Sequence, residues 1–136
     1  MTEKTRSRFI NDIYVNREYS WLLFDKRVLE QSQDLSNPLL ERCKFLSIFS
    51  SNLDEFFMVR VGSLYNESLS DAQARDNKTQ LTAAKQLEGV CETVRDLYAE
   101  RAVCYFRLKK ELSKYGVRIL RADELTPRQK EEARTV

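Results

Sequence analysis

The sequence contains no histidine among its 136 residues. This absence excludes a phosphohistidine intermediate, a Ser-His-Asp triad, a Cys-His dyad and a histidine-ligated zinc site within the chain. The chain has 3 glycines, and they are too far apart to form a GxGxxG or GxxxxGK loop. Because such loops bind phosphate through clustered backbone amides, the familiar phosphate-binding loops are excluded as well.

Cysteine and long hydrophobic runs are also scarce. The 3 cysteines, Cys43, Cys91 and Cys104, form no CxxC pair and have apolar neighbours at helical spacing. This pattern favours small buried thiols in a reducing compartment over a metal or redox site. The longest uninterrupted apolar run, residues 102–106, is too short for a transmembrane segment or a signal peptide. We therefore expect a cytoplasmic protein, with peripheral membrane association as an alternative.

The overall composition is that of an ordinary globular domain. Apolar residues make up 42% of the chain and charged residues 32%, which is not the mixture of a disordered protein. The formal net charge is only +2, too small to require a nucleic acid or an anionic membrane as a partner. The length corresponds to one domain and at most the start of a second.

Hydrophobic periodicity predicts an all-α fold. Ser20 is a plausible N-cap of a first helix, and Pro38 marks the start of a second. Polar residues interrupt the second helix at residues 50–52, which predicts a break there. A third, longer helix is predicted from apolar residues at alternating three- and four-residue steps: Leu87, Cys91, Val94, Tyr98, Ala102, Tyr105, Leu108, Leu112 and Tyr115.

The C-terminal part carries stop and start signals. Gly116 is the expected residue just after the third helix. Residues 117–120 are compatible with a short strand, and Thr126 with Gln129 is a capping signature for a last helix. We therefore predict an antiparallel bundle of three principal helices, the second broken near Ser50 and Asn52, with a short C-terminal extension.

The segment SNLDEF, residues 51–56, admits two interpretations. In the first, Ser51 or Asn52 caps a helix that begins after the break, with the acids at the positive end of the helix dipole. In the second, the Asn52 amide, which is both a donor and an acceptor, faces a purine base. The two interpretations are compatible. Asp54 and Glu55 are adjacent in sequence, so they face different sides of a helix and form neither an acid-base pair nor a metal cage.

Several charged and aromatic residues have a structural and a functional interpretation. Arg107, Lys110 and Lys114 share a helical face, which is either solvated, with a Glu111–Lys114 ion pair, or a strip for a polyanion or an acidic domain. Arg17 and Arg60 are expected to fix helices through Glu18, Glu41 or Asp54 rather than to bind substrate. The aromatic residues at helical spacing are expected in the core: Trp21, Phe24, Phe45, Phe49, Phe56 and Phe57.

Three blocks of sequence resemble one known family. They are YVNREYSWLLFDKRVLE at residues 14–30, NPLLERCKFL at 37–46 and IFSSNLDEFFMVRV at 48–61. Together they look like the N-terminal domain of polyphosphate kinase, the large bacterial enzyme that works through a phosphorylated histidine. The match is dense over residues 14–64. Tyr19 departs from the leucine expected there.

The resemblance implies an activity that the chain cannot carry out alone. The family transfers the terminal phosphate of ATP reversibly to polyphosphate and releases ADP, and its phosphorylated histidine and Mg²⁺-binding residues lie in C-terminal domains. We therefore expect ATP and Mg²⁺ in the full-length enzyme, and no catalytic or metal-binding residue here. The resemblance makes Asn52 the ATP-binding residue, in a wall of the nucleotide site near the adenine.

The resemblance also implies a domain organisation. Residues 1–13 are expected to be a flexible tail, 14–116 the helical N-terminal domain, and 117–136 the beginning of a head domain. The expected partners are the other domains of the same chain, ATP or ADP, polyphosphate and further copies in a homo-oligomer, without nucleic acid. The alternative is a non-enzymatic helical module that docks a partner through an apolar stripe or through the basic residues between Arg107 and Arg121.

Overall fold

The computed structural model describes residues 16–71, 73–75 and 81–135, and the expected tail at 1–13 lies outside them. The prediction of an all-α fold is confirmed, and the described residues contain no strand, only an isolated bridge between Arg75 and Thr82. The elements are α1 (Arg17–Gln33), α2 (Leu39–Phe56), a π-helical turn (Phe57–Val61), α3 (Gly62–Ser70), α4 (Ala83–Lys114), a 3₁₀ turn (Ala122–Glu124) and α5 (Pro127–Arg134).

The second principal helix is continuous through residues 50–52, so the predicted break there is wrong. Ser50 donates its hydroxyl hydrogen to the Leu46 carbonyl one turn earlier, at 3.0 Å, which is compatible with a helix. The irregularity lies further on, in the π-helical turn, where the Gly62 amide donates to the Phe57 carbonyl. Since α2, this turn and α3 follow one another directly, they form one helical rod with a local widening.

Helix α1 begins earlier than the Ser20 cap predicts. Asn16 is the N-cap, and its side-chain oxygen accepts hydrogen bonds from the backbone amides of Glu18 at 2.9 Å and Tyr19 at 3.2 Å. Its Nδ2 atom also donates to Gln86 Oε1 at 2.8 Å, on α4. Ser20 lies inside the first turn and bonds to the Asn16 carbonyl. The same cap therefore starts α1 and attaches it to α4.

Polar contacts define the directions of the three principal helices. Ser32 near the end of α1 contacts Arg42 near the start of α2, and Asp25 earlier in α1 contacts Asn52 later in α2, so these two helices are antiparallel. Helix α4 runs parallel to α1, since Asn16 contacts Gln86 and Ser32 contacts Cys104, so α2 and α4 are antiparallel as well. Their common core consists of buried apolar residues: Tyr19, Leu22, Leu29, Leu46, Phe49, Leu53, Phe56, Val90, Val94, Leu97, Cys104 and Leu108.

The predicted end of the third principal helix is confirmed. Gly116 has a φ of 79°, and the Val117 amide donates to the Leu112 carbonyl at 3.1 Å, which closes the helix in a Schellman-type turn. Residues 117–120 form no strand. The predicted Thr126 cap is confirmed, since Thr126 and Gln129 form a reciprocal capping box at the start of α5.

Candidate functional site

Asn52 lies near the end of α2, inside a helix rather than at a helix start. Its side chain is half-buried, and its Nδ2 atom donates a hydrogen bond to Asp25 Oδ1 at 3.0 Å. Asp25 belongs to α1, so this bond crosses the interface between the two helices. The interpretation of Asn52 as a helix cap is therefore wrong. Its side chain is nevertheless partly accessible to solvent, as a ligand contact requires.

Asp25 is a fully buried carboxylate with incomplete hydrogen bonding. Burial raises its pKa from 3.8 to about 6, and the hydrogen bond from Asn52 opposes this increase. Its second oxygen, Oδ2, is the one buried side-chain polar atom of the described residues that has no hydrogen-bond partner. Sequence analysis missed Asp25. Its signal was a carboxylate within the apolar stripe of α1, between Leu22 and Leu29.

The carbonyl oxygen of Asn52 is available to a ligand. It accepts no hydrogen bond from the described residues, and it is not among their buried polar atoms without a partner. It is therefore in contact with solvent. The Nδ2 atom has a second hydrogen besides the one donated to Asp25. The amide can thus offer one acceptor and one donor to a molecule bound on this side of the helix pair.

A row of polar contacts, here called the polar seam, follows the face of α1 that packs against α2 and the π-helical turn, on both sides of this pair. The seam consists of three contacts: Glu18 with Arg60 at 3.8 Å, Asp25 with Asn52 at 3.0 Å, and the Ser32 carbonyl with Arg42 at 3.1 Å. Its α1 members are spaced by seven residues, so they lie on one face of the helix. This spacing of polar residues on an apolar helix is a signal that the periodicity analysis did not use.

The expected ion pairs of Arg17 and Arg60 are present, and their partner is Glu18, one of the carboxylates predicted from sequence. Arg60 pairs with Glu18, and Arg17 lies 3.5 Å from the same carboxylate. The shortest of these ion pairs involves Arg42, which sequence analysis did not select. Arg42 is buried and binds Glu111 through both terminal nitrogens, at 2.9 and 3.3 Å. Because Glu111 turns to Arg42, the expected Glu111–Lys114 pair is absent from the described ion pairs.

Most of the predicted core aromatics line this interface from inside. Trp21 and Phe56 stack with ring centroids 4.6 Å apart and an interplanar angle of 10°. Phe49 and Phe56 are buried, and Trp21 and Phe57 pack partly buried against the core. Two predicted core aromatics are exceptions: Phe24 has 57% of its surface exposed, and Phe45 is half-buried and lies outside the core cluster. The stacked pair supports the α1–α2 contact close to Asp25 and Asn52, and it is not an open stacking platform.

The described residues do not fit a magnesium site. They contain no group of three or more His, Cys, Asp or Glu side chains that could hold a metal ion. Asp54 and Glu55 are exposed, and no described hydrogen bond or ion pair joins the side chain of either to another residue. The three thiols are free, with Cys104 buried and Cys43 half-buried, and burial raises the pKa of the Cys43 thiol. Within the described part of the chain, no helix is long and apolar enough to cross a membrane.

The predicted basic strip borders a surface groove at the end of α4. The groove has a volume of about 360 Å³, and basic, polar and apolar side chains line it: Phe106, Lys109, Lys110, Ser113, Arg118, Ile119, Leu120 and Glu124. It lies at the opposite end of α4 from the Asn16–Gln86 contact. The seam approaches this groove at Arg42, which binds Glu111. Asn52 lies about 15 Å further along α2, so the structure does not bring the basic strip and Asn52 into one site.

Comparison with known proteins agrees with the three sequence blocks. A family model described as the polyphosphate kinase N-terminal domain matches residues 14–120. A polyphosphate kinase from an Exiguobacterium species is 44% identical over 125 residues, which cover 92% of this chain and 17% of that protein. A polyphosphate kinase from Halalkalibacterium halodurans is 46% identical over 118 residues, which cover 86% of this chain and 17% of that protein.

A third relative, the polyphosphate kinase of Bacillus cereus, is 45% identical over 122 residues and 87% of this chain. The chain spans about a sixth of the length of these relatives, 17% in each case. The family match includes both helices of the polar seam and all of α4. The chain therefore belongs to the polyphosphate kinase N-terminal domain family.

Proposed function

We propose that this chain is the N-terminal domain of a longer polyphosphate kinase, which transfers the terminal phosphate of ATP reversibly to polyphosphate and releases ADP. The relatives that carry this name match the chain over most of its length. The chain has no histidine to phosphorylate. The nucleophile and the Mg²⁺ ligands therefore come from other parts of the enzyme, and the isolated chain does not transfer phosphate.

Asn52 is the residue that contacts ATP, at the adenine. The observation that carries this assignment is the half-satisfied amide: one Nδ2 hydrogen is used within the fold, and the carbonyl oxygen is open to solvent. An asparagine amide with one free donor and one free acceptor can form a paired contact with the edge of a base. The stacked aromatics and the antiparallel helices hold this amide on a rigid wall.

The rest of the surface serves domain packing. Large apolar side chains are exposed around the π-helical turn and α3, with Met58 at 76% and Leu69 at 70% exposure. Exposed apolar residues of this size are unusual on an isolated domain and are typical of surfaces that meet other domains. Residues 14–116 form the helical domain, and 117–136 lead into the head domain. The homo-oligomeric state of the full-length enzyme stays a prediction.

The experiment compares Asn52→Ala with Asn66→Ala in the full-length enzyme. Asn66 is an exposed asparagine on α3 and serves as the matched control. Loss of two hydrogen bonds to the base raises the KM for ATP about tenfold at unchanged kcat, whereas Asn66→Ala leaves both constants unchanged. If Asn52→Ala lowers the unfolding temperature and leaves the KM for ATP unchanged, Asn52 has only a structural role.

The same exposed apolar surface also favours the second candidate, a non-enzymatic interaction module. The discriminating measurement is titration of the full-length protein with ATP, followed by heteronuclear NMR on the Asn52 side-chain amide. A saturable shift supports the kinase. Absence of nucleotide binding by the full-length protein contradicts the kinase and leaves the interaction module as the function.

A further inference from the structure

We infer that Asp25 is a positioning residue that orients the Asn52 amide so that its carbonyl oxygen and one N–H face the edge of a 6-aminopurine nucleotide. The inference rests on the proposed contact between Asn52 and ATP. The inference adds Asp25 as the residue that makes this contact selective for adenine. Asp25 itself does not touch the nucleotide, because it is fully buried between the helices.

The orientation follows from the chemistry of the bond. An ionised carboxylate can only accept hydrogen bonds, so the amide must turn its Nδ2 atom toward Asp25. The distance of 3.0 Å between Nδ2 and Oδ1 is that of a well-formed hydrogen bond. The reversed amide would place two acceptor oxygens against each other in a buried site. Asp25 thus excludes one of the two amide orientations that asparagine can otherwise adopt.

The excluded orientation is the one that would suit a different base. Adenine presents an amino donor at position 6 beside a ring nitrogen that accepts, whereas hypoxanthine presents a carbonyl acceptor at position 6 beside a ring N–H donor. An amide whose oxygen and nitrogen are held in fixed places forms two hydrogen bonds with one of these edges. Against the other edge it places acceptor against acceptor and donor against donor. A fixed Asn52 amide therefore discriminates ATP from inosine triphosphate.

The structure also indicates which variants of Asp25 retain the fold. Asp25 Oδ2 has no partner, so the carboxylate is held at a cost in stability. Leucine at this position removes the acceptor and places an apolar group between apolar neighbours, which buried sites commonly tolerate. Asparagine has the same shape as aspartate and keeps one acceptor oxygen for Asn52, but its amide also has donors, so it no longer excludes the reversed Asn52 amide. Asp25→Leu thus removes both the acceptor oxygen and the negative charge, whereas Asp25→Asn removes the charge and keeps an acceptor oxygen.

The experiment measures kcat and KM for ATP and for inosine triphosphate in the full-length enzyme and its Asp25→Leu and Asp25→Asn variants, at pH 8. In Asp25→Leu, the KM for ATP rises about tenfold at unchanged kcat, and the preference for ATP over inosine triphosphate falls by the same factor. In Asp25→Asn, the retained acceptor keeps the KM for ATP within about twofold of the wild type, whereas the preference for ATP over inosine triphosphate falls because the amide pair can also reverse.

A control separates positioning from general weakening of α1. Ser32→Ala alters another buried polar residue of the same helix, whose hydroxyl bonds to Leu29 and Cys104 and not to Asn52. This variant leaves the nucleotide preference unchanged. An unchanged preference in a folded Asp25→Leu enzyme overturns the inference, as does an equal rise in KM for both Asp25 variants. If Asn52→Ala alters the KM for ATP in that case, the proposed ATP contact stands without the positioning role.

Discussion

The buried carboxylate of Asp25 lowers the stability of the domain at neutral pH. Its pKa is raised from 3.8 to about 6 by burial, so the folded state binds a proton more tightly than the unfolded state does. The unfolding free energy therefore decreases as the pH rises through the interval between these two values. Above pH 7 the full decrease in unfolding free energy is present, because Asp25 is ionised in both the folded and the unfolded state.

The first prediction concerns Asp25→Asn, which removes the titrating group. We expect this variant to be more stable than the wild type at pH 7. Because the folded-state pKa is about 6, the difference in unfolding free energy between the two proteins is expected to grow by on the order of 2 kcal/mol between pH 4 and pH 7. Urea unfolding of both proteins, followed by circular dichroism at a series of pH values, measures this difference in unfolding free energy.

Asp34→Asn is the control for this series. A hydrogen bond from the Ser36 amide lowers the pKa of Asp34, so this carboxylate stabilises the fold above its unfolded pKa and loses that effect as the pH falls. The Asp34→Asn substitution is therefore expected to change the pH dependence of the unfolding free energy in the opposite direction to Asp25→Asn. A pH-independent difference between Asp25→Asn and the wild type would contradict the raised pKa of Asp25.

Asn52 could be proposed as a binding residue from sequence, but its environment could not be predicted. Asn52 was selected because of the motif around it, and the structure leaves its amide partly accessible. The interpretation of residues 50–52 as a break assumed that their side chains compete for local backbone groups. Asn52 instead bonds to Asp25, 27 residues away in sequence, which no local rule anticipates.

At the scale of elements, α1 and α4 approach closely at one glycine. Tyr19 of α1 lies across Gly89 of α4, and its hydroxyl is 3.5 Å from the Gln86 carbonyl. A β-carbon at Gly89 would overlap the Tyr19 hydroxyl oxygen and lie 2.9 Å from its Cζ atom. Tyr19 is also the position where the family resemblance predicts leucine. The larger side chain is accommodated because residue 89 has no side chain.

The second prediction is that Gly89→Ala destabilises the domain by about 1 to 3 kcal/mol, although alanine is the better helix former. The buried Tyr19 ring must move to relieve the overlap. Thermal unfolding of Gly89→Ala and of the double variant Tyr19→Leu/Gly89→Ala measures the effect. The double variant is expected to recover most of the loss, because leucine lacks the overlapping hydroxyl.

Gly62→Ala is the matched control. A β-carbon at Gly62 would make only an ordinary 3.8 Å contact with the Phe57 carbonyl oxygen, so alanine there is expected to stabilise the helix by about 0.5 to 1 kcal/mol. Equal effects of the two substitutions would show that helix propensity alone governs both positions, and the close approach of α1 and α4 would then be refuted.

At the scale of the whole molecule, Arg42 connects the three principal helices. Its Nε atom donates to the Ser32 carbonyl of α1 at 3.1 Å, and its two terminal nitrogens bind Glu111 of α4. The arginine side chain is 6% exposed, whereas that of Glu111 is 33% exposed. The ion pair is therefore buried on one side and open to solvent on the other, which reduces the cost of desolvation.

The third prediction is that Arg42→Met destabilises the domain by about 2 to 3 kcal/mol. The substitution leaves the Glu111 carboxylate without its partner and removes a donor from the Ser32 carbonyl, while the exposure of Glu111 limits the loss. Arg17→Met is the control, because the Arg17 side chain is 75% exposed and its removal is expected to cost less than about 0.5 kcal/mol. Chemical denaturation compares the two, and similar losses would refute the connecting role of Arg42.

Some features of this protein were determined by the sequence alone. The all-α class, the end of α4 at Gly116 and the cap of α5 at Thr126 depend on hydrophobic spacing and on hydrogen bonds between residues a few positions apart. Family membership likewise followed from contiguous blocks of residues. These signals are local, so they can be recognised without knowledge of the packing.

Only the tertiary structure decided which polar groups face one another. The partners of Asn52 and Arg42 are 27 and 69 residues away in sequence, and they meet because packing rotates each helix about its own axis to bury its apolar face. Polar residues on the border of that face are then brought together, and those that pair become buried. Hydrophobic spacing fixes neither this rotation nor the register between helices, which is why the Asp25–Asn52 pair emerged only from the folded molecule.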